Sequence, residues 1–288
     1  MSNPARLSAT NPSELDLDVR LDLSGESLKD ALAGLLAGGE RHGGIEQVVE
    51  ALRLKGEVFT DTFADKGHNL TPETFLKLCM FMPTVRRRVT DFSSGEGFAT
   101  LKAALIELFE PLDADKRIAR FQSRFPSGRK YRWVRDLAAE VLHNTNIELY
   151  PLMTRWVWDE KANSGVLREI WFGDDVDTMI IAAPDTYGTF LKLRQELSGY
   201  LTDNGMFRDV PYYVDLLCAQ VYSGYISSQG GAFLKADFAS EQDSFLFVLR
   251  LMGLDGVKAK TRAQDLTGDD DDIDLGDIMT TSRLLGNA

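Results

Sequence analysis

Eight cations and no acid lie between Lys116 and Arg135: Lys116, Arg117, Arg120, Arg124, Arg129, Lys130, Arg132 and Arg135. Phe125, Tyr131 and Trp133 are set among them. Cations hold phosphate or carboxylate oxygens and aromatic faces stack on bases, so this belt suits a polyanion, either nucleic acid or the acidic segment of a protein. Lys116, Arg117, Arg120 and Arg124 recur at three to four residues and therefore share one broad helix face. The plainer alternative is a solvated helix face whose aromatic neighbours belong to the core.

A complementary charge stands at the C-terminal end. Asp269, Asp270, Asp271, Asp272 and Asp274 are followed by Ile278, Met279, Leu284 and Leu285. Acid runs by themselves only solvate, but an acidic spacer that ends in apolar residues has the composition of a docking peptide that folds on binding. The run lacks the ligand spacing, central Gly and terminal Glu of a calcium loop.

Other chemistry is thinly supported. The three histidines are His42 and His68, both beside glycine, and His143 near a helix end, where an imidazolium favours the C-terminal dipole. No HExxH, CxxC or paired-His spacing is present, so a zinc site is not expected. There is no P-loop, and no GxGxxG follows a strand. Ser164-Gly165 and Ser223-Gly224 lack the GxSxG frame of a nucleophile elbow. Asp174, Asp175 and Asp177 could take a divalent ion, but a solvated acidic loop is the favoured reading of them. Cys79 and Cys218 sit in apolar helical patterns and read as buried free thiols. No metal, cofactor or catalytic residue is assigned.

The elements that must carry these groups are mainly α-helical. At 288 residues with 44% apolar and 26% charged composition, the chain can bury a full core. All four tryptophans fall between 133 and 171, which places the centre of that core. Ser27–Leu36, bracketed by the loops Gly38-Gly39 and Gly43-Gly44, and Ile45–Asp65 are the first helices. Thr71-Pro72-Glu73 is a clean helix start. Helices at Phe98–Phe109, Asp113–Phe125, Tyr131–His143, Pro184–Tyr200, Val210–Ser227 and Ser240–Met252 follow, the last with Phe245, Leu246, Val248 and Leu249 buried. Segments 154–159 and 166–172, rich in β-branched and aromatic residues, could pair as a β-hairpin. At the N-terminal end Leu15, Leu17, Val19, Leu21 and Leu23 alternate with polar residues, a strand pattern that needs a sheet edge or another chain, which allows an oligomer formed through this arm.

The sequence therefore divides into an acidic arm at 1–26, a helical domain at 27–262 and an acidic tail at 263–288; a division near 110–128 is the alternative. The net charge of −12 is concentrated at the ends: 1–30 and 265–288 together hold nine of the twelve excess negative charges. No stretch reaches the ~20 apolar residues of a membrane helix and no signal-type run follows Met1, so a cytoplasmic protein with no membrane partner is expected. The run Ala139–His143 followed by Tyr150–Met153 resembles helical domains of the DNA-glycosylase type over a small part of the chain. The hairpin and catalytic residues of that family have no identifiable counterpart here, and no assignment is made on it.

Three functions follow. The first is a non-catalytic interaction protein, an adaptor, assembly factor or scaffold subunit, whose helical body and tethered tail make two joined contacts. The second is a nucleic-acid-associated protein that uses the belt, with the tail competing for it. The third is an enzyme with dispersed residues, which predicts an enclosed polar pocket holding His143, Asp174 or Asp177.

Overall fold

The computed structural model describes residues 20–173, 179–229 and 244–255. Its helices are α1 (Gly25–Arg41), α2 (Ile45–Thr62), α3 (Pro72–Met80), α4 (Gly95–Leu108), α5 (Ala114–Ser123), α6 (Trp133–Thr145), α7 (Val166–Glu169), α8 (Tyr187–Asp203), α9 (Val210–Gln229) and α10 (Ser244–Leu251). The mainly helical reading is thus the observed architecture. No helix among the described residues is long and apolar enough to cross a membrane.

Several ends are set by local chemistry. The Ser24 and Thr71 hydroxyls accept hydrogen bonds from the Ser27 and Thr74 amides, and the Asp113 carboxylate accepts from Lys116 N. Each supplies a partner to an amide that the first helical turn leaves unpaired. Pro72 stands in the first turn, where its missing N–H costs nothing.

α6 is the hub. Leu137, Ala138, Ala139, Val141 and Leu142 are fully buried, and α6 packs on α2 and α5. α9 forms the second axis, with α1, α7, α8 and α10 against it. Trp133, Trp156 and Trp158 are buried as the sequence implied, and Trp158 Nε1 donates to Ala183 O at 2.9 Å. Cys79 and Cys218 are buried free thiols. Burial pushes both thiols far up, which makes them inert.

The sequence reading needs three corrections, to Gly38-Gly39, to the 154–172 hairpin and to Leu246. Gly38 and Gly39 lie inside α1, not in a loop. A Cβ on Gly38 would stand 2.6 Å from the Phe245 ring, so glycine there admits α10 against α1. The 154–172 hairpin does not form. Val166 N and Leu167 N donate to Trp156 O and Val157 O at 3.0 and 3.1 Å, but no strand ladder develops: the one bridge is Asp159–Ser164 in the connection, and 166–169 turn into α7. Gly165 forces that turn with φ +120° and has no room for a Cβ, which would come within 2.8 Å of Val157 O. Leu246, expected in the core, is 45% exposed because Phe245 and Val248 define the inward face of α10. In the alternating N-terminal segment, Leu23 bridges antiparallel to Trp171 of the same chain. Ser24 N donates to Ile170 O at 2.7 Å and Phe172 N to Asp22 O at 2.8 Å. The rest of the arm up to residue 19 lies outside the described residues.

Candidate functional site

The belt is mostly turned onto the domain's own oxygens. Lys116 pairs with Asp113 at 2.8 Å, one turn back across the start of α5. Arg120 reaches Glu110 at 3.0 Å and Glu107 at 3.3 Å, and Arg124 binds Glu107 through two nitrogens. Those acids lie on α4 and just beyond it, so the basic face of α5 is where α4 and α5 are joined. Arg132 pairs with Asp159, which also caps the short turn at 160–162. Arg117 is buried: its Nε donates to Leu112 O at 2.7 Å and an Nη to the Tyr150 hydroxyl at 2.8 Å. Arg135 donates to the carbonyls of Met153 at 2.7 Å and Asp185 at 2.8 Å and stacks over Phe190. Arg129 and Lys130 are exposed in the turn before α6, with Lys130 over the Tyr131 ring. Guanidinium forks that bridge carbonyls and carboxylates in this way fix the relative placement of segments.

The other sites named from sequence fare differently. His42 stacks on Phe245 at 5.3 Å, which gives it a packing role. His68 lies in the turn after α2. Asp174, Asp175 and Asp177, and the tail residues Asp269, Asp270, Asp271, Asp272, Asp274, Ile278, Met279, Leu284 and Leu285, lie outside the described residues.

His143 belongs to a cluster that no spacing in the sequence announced. Lys55 of α2, Glu140 and His143 of α6 and Asp215 of α9 are all buried. Lys55 Nζ lies 3.7 Å from Glu140 Oε2 and donates to Met252 O at 3.1 Å. His143 Nε2 lies 2.9 Å from Asp215 Oδ2. Its Nδ1 meets Tyr150 O, also at 2.9 Å. A carbonyl can only accept, so Nδ1 carries a proton; facing the Asp215 carboxylate, Nε2 carries one as well. The imidazolium is the form that satisfies both contacts, with both N–H groups committed. Burial alone would push its pKa down, but the charge and hydrogen bond of Asp215 outweigh it and hold the group above the usual histidine range. For Lys55 burial wins and draws the ammonium toward neutrality, against the pull of Glu140 and Asp215; burial likewise raises Glu140, against Lys55 and His143. The two effects are complementary, so a proton held between Lys55 and Glu140 leaves the pair neutral overall.

Glycine and helix geometry set this cluster up. Leu52, Lys55 and Phe59 follow at three to four residues on the buried face of α2, so Lys55 occupies a core position. Glu140 and His143 are one turn apart on α6. Asn144 Nδ2 donates to both Glu140 O and Oε2, which fixes the carboxylate. The Met252 carbonyl is placed by the turn after α10: Leu254 N donates to Leu249 O at 2.8 Å around Gly253, whose φ is +73°. A Cβ on Gly253 would lie 2.0 Å from Phe81 O.

The cluster floors a cavity of about 240 Å³ between α2, α6, α9 and the end of α10. Leu52, Leu152 and Leu251 supply apolar wall, and Glu57, Thr60, Asn144, Asn146, Glu148 and Tyr212 surround the entrance. The signal that could have located it was the charge in each apolar stripe, a lysine among Leu52 and Phe59 and a glutamate among Leu137 and Val141. Pairing across 55, 140, 143 and 215 is a tertiary fact. Among the described residues no group of three or more His, Cys, Asp or Glu side chains is arranged to hold a metal ion. Compared with protein families, with curated proteins and with solved structures, the chain finds no match.

Proposed function

We propose that the chain is an interaction protein, a helical adaptor or scaffold subunit that binds a protein partner. The observation that supports this most is an exposed apolar pair beside the arm. Phe172 is 64% and Ile180 81% exposed; Phe207, before α9, is exposed to a similar degree at 73%. The backbone beside Phe172 and that beside Ile180 are each tied to a different part of the domain. Phe172 continues the pairing of Leu23 with Trp171, and Asn163 fixes the backbone at Met179 and Ile181 through hydrogen bonds of 2.8 and 3.1 Å. Large apolar side chains kept rigid and in water are what a partner's surface buries. The belt favours this reading over nucleic acid, because six of its eight cations are already held by oxygens of the same chain. The acidic, apolar-ended tail would add a tethered second contact.

The test compares the full chain, a Phe172→Ser/Ile180→Ser variant and a 1–264 truncation. Each is run against cell extract and against an oligonucleotide at two salt concentrations. A protein partner that the double variant and the truncation each weaken supports the adaptor. Oligonucleotide binding that rises on truncation assigns the belt to nucleic acid instead.

A further inference from the structure

The cavity floored by the buried charges has a net sign that its two ion pairs do not set. Lys55 with Glu140 and His143 with Asp215 each sum to zero. What remains is the entrance. Arg53 stands there, but its charge is already matched: its Nη2 donates to Asp209 Oδ1 at 2.7 Å and its Nε lies 3.5 Å from Glu50. Glu57 and Glu148, by contrast, are exposed carboxylates lining the same opening; among the described residues neither forms an ion pair, and the Arg194 guanidinium, which feels the Glu148 charge, is spent on the Ile147 and Glu148 carbonyls at 2.7 and 2.9 Å. The C-terminal end of α6 opens there too, through Asn144, Thr145 and Asn146, and carries the negative pole of a 13-residue helix. Tyr212 adds an aromatic face that Arg53 already approaches at 6.0 Å.

Among the described residues the balance at this mouth is therefore negative: Glu57, Glu148 and the α6 carbonyl end outweigh the positive contribution of Arg194, which is tied to the Ile147 and Glu148 carbonyls, whereas the wall behind is aliphatic. At about 240 Å³ the space is far larger than the ~15 Å³ a single water needs and lies at the small end of ligand pockets. We propose that this cavity is a binding site for a small aliphatic amine, with its ammonium received at the mouth by Glu57 and Glu148 and its alkyl chain laid along Leu52, Leu152 and Leu251. An anion would meet the same two carboxylates and the α6 carbonyls and be repelled. The buried pairs serve the site without touching the charge: they fill its floor with fixed dipoles while leaving it neutral. This site is separate from the Phe172 and Ile180 surface and does not depend on it.

The test is titration calorimetry on the full chain with putrescine and butylamine, and with butyrate as the probe of opposite charge. It is repeated with Glu57→Gln/Glu148→Gln; both residues are exposed, and neither substitution alters the core. The expected result is saturable amine binding that is weakened by salt, falls by about tenfold or more in the double variant, and has no butyrate counterpart. Absence of saturable amine binding at millimolar concentration, amine binding unchanged in the double variant, or butyrate bound as tightly as butylamine would each overturn the proposal.

Discussion

Two groups of charges in this domain have opposite histories. The belt from Lys116 to Arg135 is conspicuous in the sequence and largely neutralised in space by Glu107, Glu110, Asp113, Asp159 and Asp185, mostly at the surface. The cluster of Lys55, Glu140, His143 and Asp215 is invisible in the sequence and completely buried. Exposed pairs contribute little because water already solvates each partner and salt screens them. Buried pairs have little of their surface in water, so each member depends on the other, and removing one strands a charge. A charge's energetic weight here follows its burial, and linear density along the chain is a poor guide to it.

The sharpest way to break this contrast is Glu140→Ala. It leaves Lys55 buried with only the Met252 carbonyl, and a loss of about 3–5 kcal/mol in urea unfolding is expected. The double variant Lys55→Met/Glu140→Leu should recover most of that loss. A single variant costing as little as a surface pair would show that water enters the cluster and would erase the distinction.

His143→Gln comes next, at about 2–3 kcal/mol for hydrogen bonds made by a charged group. Its pH dependence carries the sign. The folded pKa of His143 lies above its ordinary value, so the contribution is fully present below about pH 6.5 and is lost as pH rises through the folded pKa. The stability gap between wild type and variant, measured by denaturation across pH 5.5 to 9, should therefore narrow upward. A gap that widens with pH would mean that the imidazole is buried neutral.

Gly253→Ala probes the cluster from its far side. The alanine would need a positive φ and space occupied by Phe81 O, so a loss of about 1–3 kcal/mol is expected. The Met252 carbonyl should shift with it, which sharpens the comparison by showing whether Lys55 depends on that carbonyl. Unchanged melting of this variant would show that the turn after α10 adapts freely. The smallest effect belongs to the belt: Arg124→Ala, which removes a half-exposed guanidinium from Glu107, should cost less than about 1 kcal/mol, and its effect should shrink further in salt. A loss matching that of Glu140→Ala would place belt and cluster in one class.

The sequence by itself determined most of the helices, because their periodicity and caps are local. Thr71 with Pro72 and Asp113 ahead of Lys116 each act within one turn, so they could be read without the fold. It also determined the inert thiols and the tryptophan-rich core, since large apolar side chains have few places other than the interior. Only the tertiary structure decided the rest. Gly38 looked like a loop residue until α10 pressed Phe245 against it. Trp171 looked like half of a hairpin until Leu23 paired with it and Gly165 turned 166–169 into a helix. The belt's carboxylate partners and the meeting of positions 55, 140, 143 and 215 are long-range pairings. Their energies depend on distance and burial, which adjacency along a chain does not encode.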